Sequence, residues 1–116
     1  SVYLRYTVSM GMYKKLVRDL IPDKIRKNGE VPITRVLDID EYRHELCLKL
    51  IEEAQECAAS DSQEVLIEEL ADLEEVIIAL LAVYEIRPQQ IEDVRQRKLE
   101  KRGGFSKGIY LEGIED

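Results

Sequence analysis

Eight consecutive residues, Val76 to Val83, are apolar, and they close a stretch in which Val65, Leu66, Leu70 and Leu73 recur at helical spacing. The implied helix is one-sided in its first half and apolar on every side in its second. A helix apolar all round must be covered all round. One antiparallel neighbour is too little cover, so further helices must pack there, from this chain or from a second copy. The neighbour is legible upstream, where Leu46, Leu50, Ile51, Ala54 and Ala58 mark a first long helix running from an Asp38 or Asp40 N-cap to about Ala59. Ser60-Asp61-Ser62 make the turn into the second helix, which ends near Tyr84. Pro88 suits the first position of a third helix, and Gly103-Gly104 its end. The expected fold is mostly α: a helical hairpin plus a third helix in a four-helix-bundle-type core, completed by dimerisation.

The remaining segments are shorter. Val2, Leu4, Tyr6 and Val8 alternate in what reads as an N-terminal extension over residues 1–12, ahead of a single domain over 13–116. Lys14 to Asp19 reads as a short helical turn, and Asp23 to Asn28 as a brief helix ended by Gly29. Residues 31–37 are β-branched and expected to be extended, pairing with 105–111 as a short sheet. A chain of 116 residues supports one domain and buries only about two-thirds of its unfolded surface, which favours sharing a core with a second copy. The longest apolar run, Val76 to Tyr84, falls well short of the roughly 18 residues of a membrane span. With no basic-then-apolar leader, a cytoplasmic protein with no membrane partner is expected. Cys47 and Cys57 lack CxxC spacing and, ten positions apart, point from different faces of one helix; both are expected to be buried thiols. His44 stands alone on that helix, an unpromising start for a metal site.

Charge is segregated along the chain. Residues 1–35 are net positive. Between Val36 and Ile86 the basic side chains are Arg43 and Lys49, set among fifteen acidic ones; from Arg87 to Lys107 the sign reverses again. Two accounts are open. Solvated helix faces with complementary pairs between segments would produce this pattern. So would a site that holds cations on its acidic centre and phosphates on its basic arms.

Within the acidic centre, Glu53 and Glu56 stand three apart late in the first helix, and Glu69 and Asp72 three apart early in the second. Each pair shares a helix face, and the turn at 60–62 folds the pairs to comparable height. These carboxylates are interleaved with leucines rather than set opposite them, as in a metal site inside a helical bundle. Oxygen donors without histidine or cysteine select a hard ion, Mg²⁺ first and Mn²⁺ second. Plain acidic helix surface is the competing explanation.

Glu53-x-x-Glu56, a twelve-residue gap and Glu69-x-x-Asp72 resemble the ExxE…ExxD signature of the all-α nucleoside triphosphate pyrophosphohydrolases, which include MazG-like proteins, phosphoribosyl-ATP pyrophosphohydrolases and dimeric dUTPase and dCTPase relatives. The likeness covers most of the chain. Lys15-Leu16-Val17-Arg18-Asp19 with Ile21-Pro22, Glu52-Glu53, Glu68-Glu69-Leu70-Ala71-Asp72 and Lys101-Arg102-Gly103-Gly104-Phe105 look like a MazG-like, phosphoribosyl-ATP pyrophosphohydrolase-like subgroup. In the third helix, relatives often carry an asparagine shortly before the lysine, where this chain has Arg95, Gln96 and Arg97. The resemblance implies Mg²⁺-dependent cleavage between the α and β phosphates of a nucleotide, giving a monophosphate and pyrophosphate, by a homodimer or dimer of dimers. It makes Glu53, Glu56, Glu69 and Asp72 metal ligands, with one glutamate orienting or deprotonating water.

Lys98, Lys101 and Arg102, ahead of a Gly-Gly turn, are then candidates for phosphate contact, as are Lys15 and Arg18. A cationic helix end complementing the macrodipole explains the first three as well, and pairing with the acidic centre the other two. Tyr13, Tyr42, Tyr84 and Phe105 are aromatic enough to stack on a base, but core packing explains them as readily. Two rivals accompany the main reading: phosphoribosyl-ATP pyrophosphohydrolase of histidine biosynthesis, and a non-catalytic helical module that binds nucleotide or metal. Net negative charge without a basic stripe of interleaved aromatics argues against a nucleic-acid partner.

Overall fold

The computed structural model describes residues 14–116, and the expected extension over 1–12 lies outside them, as does Tyr13. Among the described residues there are four helices and no strand: α1 (Ile21–Lys27), α2 (Ile39–Ala59), α3 (Gln63–Val83) and α4 (Pro88–Arg102). The all-helical, bundle-type expectation holds. Asp38 caps α2 by accepting from the Glu41 N–H at 2.9 Å, and Ser62 caps α3 by accepting from the Val65 N–H at 3.2 Å. The turn between them is tied by the Ser60 hydroxyl, which donates to the Cys57 carbonyl at 2.7 Å.

α2 and α3 pack along their length as an antiparallel hairpin, and Leu46 and Val76 are its buried apolar centre. At the far end Arg43 of α2 donates to the Val83 carbonyl at 3.3 Å and lies 4.4 Å over the Tyr84 ring, satisfying an end-of-helix carbonyl with a cation. This contact occupies Tyr84. Residues 14–21 cross the hairpin as a strap, anchored by the buried Ile21.

Three expectations need correction. The helical turn over 14–19 is absent, and the helix begins at Ile21. The backbone of 14–18 is irregular, and Lys15 and Arg18 reach partners on two different helices. The sheet between 31–37 and 105–111 does not form: Ile33 is 100% and Phe105 99% exposed. Pro32 removes a ladder donor, and α4, about 22 Å long, carries 105–111 away. The segment before α2 is held instead by Arg35, whose guanidinium donates to both Glu41 oxygens at 3.1 and 2.7 Å. Finally, Cys47 is exposed and Cys57 partly so, because Cys47 follows the buried Leu46 by about 100° and turns off the interface.

Among the described residues, nothing covers the apolar half of α3 completely. Val76 is buried, but Ile77 and Ile78 stay largely open to solvent. No residue of α4 is buried.

Candidate metal and phosphate site

Glu53 lies seven residues before Ser60 and Glu69 seven after Ser62, so antiparallel packing sets both about 10 Å above the turn. There Glu53, Glu69 and Asp72 each offer an oxygen, all within 4.8 Å of one another. Glu53 is 4% exposed, and Oε2 of Glu69 is shielded from solvent. Oxygens facing each other across an ion with bonds of about 2.1–2.4 Å stand roughly 4–5 Å apart, so the spacing and the donor type both fit Mg²⁺ or a similar hard cation. Glu56 is half-buried on the same stretch of α2 but is not one of the trio. Glu75 is exposed.

Three carboxylates this close repel one another by about 3–4 kcal/mol per pair at an effective dielectric near 20. Cations of the same chain offset part of this. Arg18 donates to Asp72 Oδ1 at 2.7 Å. Lys49, 9% exposed, donates to Glu52 Oε2 at 3.1 Å and sits 4.0 Å from Glu53 Oε1. Lys15 reaches Glu52 Oε1 at 3.5 Å. Burial raises the Glu52 carboxyl, but the Lys49 hydrogen bond and the charges of Lys49 and Lys15 outweigh it, and its pKa falls below the ordinary value. The trio is felt at Cys57 also: burial pushes that thiol up, and the charges of Glu69, Glu53 and Asp72 push it further.

Of the expected phosphate contacts, Lys15 and Arg18 are therefore at the acidic cluster. Lys98, Lys101 and Arg102 are exposed on the last turns of α4. An open groove of about 340 Å³ adjoins the cluster between the strap and α2, lined by Lys14, Lys15, Lys49 and Glu52 with Leu48 and Ile51. Lys49 is the residue that sequence reasoning passed over. Its signal was present: a lone lysine in an acidic run, three residues before Glu52 and four before Glu53. Tyr42 is half-buried and Phe105 fully exposed.

Comparison with known proteins yields a relative from Mycolicibacterium smegmatis, described only as an uncharacterized protein, that is 44% identical over 54 residues. The match covers 47% of this chain and 55% of the relative, so the two share about half their lengths. No family model and no solved structure matches the chain.

Proposed function

We propose that this chain is a Mg²⁺-dependent nucleotide pyrophosphohydrolase, cytoplasmic and homo-oligomeric, of the MazG-like kind that its motifs resemble. The observation that carries the reading is the convergence of Glu53, Glu69 and Asp72 from two helices onto one point, with Arg18 on Asp72, Lys49 4.0 Å from Glu53, and Lys15 on the neighbouring Glu52. A divalent cation bound there supplies charge neutralisation on phosphate oxygens and lowers the pKa of a coordinated water. Hydrolysis of a triphosphate asks the protein for little else than charge and position. Glu53, Glu69 and Asp72 hold the cation. One glutamate takes the proton of the attacking water, and Glu56, one helical turn from Glu53 and outside the trio, is our candidate. The water oxygen bonds to the α phosphorus, and the bond from that phosphorus to the α–β bridging oxygen breaks. Nucleoside monophosphate and pyrophosphate leave. Arg18 and Lys15, on the strap beside the cluster, offset the phosphate charge that develops.

The test is hydrolysis of a panel of ribo- and deoxyribonucleoside triphosphates and phosphoribosyl-ATP with Mg²⁺ or Mn²⁺, scoring pyrophosphate separately from orthophosphate. Pyrophosphate release that EDTA abolishes supports the reading, and activity on phosphoribosyl-ATP alone would make the chain the biosynthetic enzyme. Silence across the panel overturns the catalytic reading. A second reading then gains ground, favoured by the pairing of Arg18 with Asp72 and Lys49 with Glu53: a binding module whose acidic cluster is partly neutralised from within.

A further inference from the structure

Among the described residues, Lys49 is the one buried cation. It stands on α2, and its ammonium lies 3.1 Å from Glu52 Oε2 and 4.0 Å from Glu53 Oε1. Arg18, half exposed on the strap, has room to leave the cluster; Lys49, fixed on a helix and covered, does not. Taking an ammonium out of water is costly and is recovered only where negative groups surround it. A charge kept there permanently therefore acts as a built-in cation of the site.

Charge sets how many further cations the site accepts. Glu52, Glu53, Glu56, Glu69 and Asp72 carry five negative charges on this stretch of the hairpin, and Lys15, Arg18 and Lys49 return three. One divalent cation brings that set to neutrality. A second leaves it two charges positive, around a buried pair that solvent screens poorly.

Position gives the same answer. Two-metal hydrolytic sites hold their ions about 3.5–4 Å apart on shared ligands. Glu53 is the carboxylate available for sharing, since it meets Glu69 and Asp72 on one side and the ammonium on the other. An ion held by Glu52 and Glu53 would fall on Lys49, and a divalent ion repels an ammonium twice as strongly as a unit charge does. Among the described residues, no other set of three such donors meets. Lys49 also lines the open groove beside the cluster, together with Lys14 and Lys15.

We propose that this chain binds one divalent cation, and that the Lys49 ammonium takes the place and the charge of a second, holding phosphate oxygens in the groove beside the ion. The contact with phosphate rests on the pyrophosphohydrolase reading; the count of ions rests on the metal site alone.

Manganese counts the ions without turnover. Full-length wild type is titrated with Mn²⁺ in the absence of nucleotide, and free Mn²⁺ is read from its paramagnetic resonance signal. One bound ion per chain is expected. Two per chain overturn the proposal, and none overturns it together with the metal site itself. Lys49→Ala removes the charge and opens its space, so a second ion enters beside the first and the spectrum becomes spin-coupled. A single ion in folded Lys49→Ala overturns the place given to Lys49. Lys49→Met removes the charge but fills the space, and it stays at one ion; a second ion there lies elsewhere and overturns the proposal equally. The wild-type and Lys49→Met counts decide the matter if Lys49→Ala loses its helical circular dichroism.

Inorganic pyrophosphate, titrated calorimetrically at saturating Mn²⁺, reads the phosphate contact. Lys49→Met binds it at least about tenfold more weakly than wild type, and equal affinity overturns that contact. A wild type that binds one ion but cleaves no nucleotide loses the catalytic reading and keeps the count. One that cleaves nucleotides and binds two ions keeps the reading and loses the count.

Discussion

Replacing Lys49 by methionine probes the acidic cluster most directly, because it removes a charge while keeping most of a buried aliphatic stem. The ammonium lies 3.1 Å from Glu52 and 4.0 Å from Glu53, and both Lys49 and Glu53 are buried. A unit-charge pair at 4 Å is worth about 4 kcal/mol at an effective dielectric near 20, and stripping one partner from a buried pair costs about 3–5 kcal/mol. Lys15 still serves Glu52, so the lower end, about 3 kcal/mol, is expected. Urea unfolding followed by circular dichroism in EDTA, at matched protomer concentration, reads this loss. Added Mg²⁺ then replaces the missing charge beside Glu53, and the deficit shrinks by at least about 1.4 kcal/mol, a tenfold tighter apparent binding. Calorimetric titration of Mg²⁺ gives the same factor independently. Equal stability of Lys49→Met and wild type in EDTA, or equal stabilisation of both by Mg²⁺, refutes the reasoning that Lys49 and the ion share one electrostatic task.

Three further outcomes are expected. Glu53→Gln and Asp72→Asn each lower pyrophosphate release at least about a hundredfold while the helical circular dichroism is retained; near-wild-type turnover in either removes that residue from the site. The Glu41 carboxyl, hydrogen-bonded to Arg35, titrates at about 2 rather than at its ordinary 4.5, so its contribution to holding the segment before α2 is complete above pH 4.5 and is lost as pH falls through about 2; a carboxyl NMR titration with a midpoint near 4.5 contradicts this. Cys57 has its thiol pKa raised by burial and by the trio's charge, so it reacts with a disulfide reagent at pH 8 more slowly than the exposed Cys47. Mg²⁺ should accelerate Cys57 and leave Cys47 unchanged, whereas an equal response at both thiols detaches the trio from metal.

Helix positions were legible because their signals are local. Asp38, Ser62, Pro88 and Gly103 act within a few residues of themselves: the cap of α2 is Asp38 of the two aspartates expected, Ser62 of the expected turn caps α3, and Pro88 and Gly103 bound α4. Glu53, Glu69 and Asp72 were legible for a related reason: two fixed periodicities joined by a three-residue turn leave little freedom in which residues face each other. The failures were of another kind. Residues 31–37 have the composition of a strand, but a strand exists only with a partner, and the direction taken by α4 removed it. Lys14 to Asp19 were read as a helical turn, whereas the backbone there is irregular and Lys15 and Arg18 pair with Glu52 and Asp72 on separate helices.

The sequence by itself determined the three long helices, where they stop, and that carboxylates of two of them, Glu53, Glu69 and Asp72, meet near the turn of a hairpin, since capping, periodicity and turn length are properties of a few neighbouring residues. Only tertiary structure decided that Lys49 is buried among those carboxylates, that Arg18 closes onto Asp72 across fifty-four positions, and that α4 leaves its own hairpin bare. These depend on the relative placement of elements, which is set by the burial of Ile21, Leu46 and Val76 and by charges meeting across the chain. Such contacts leave no periodic trace in the order of the residues.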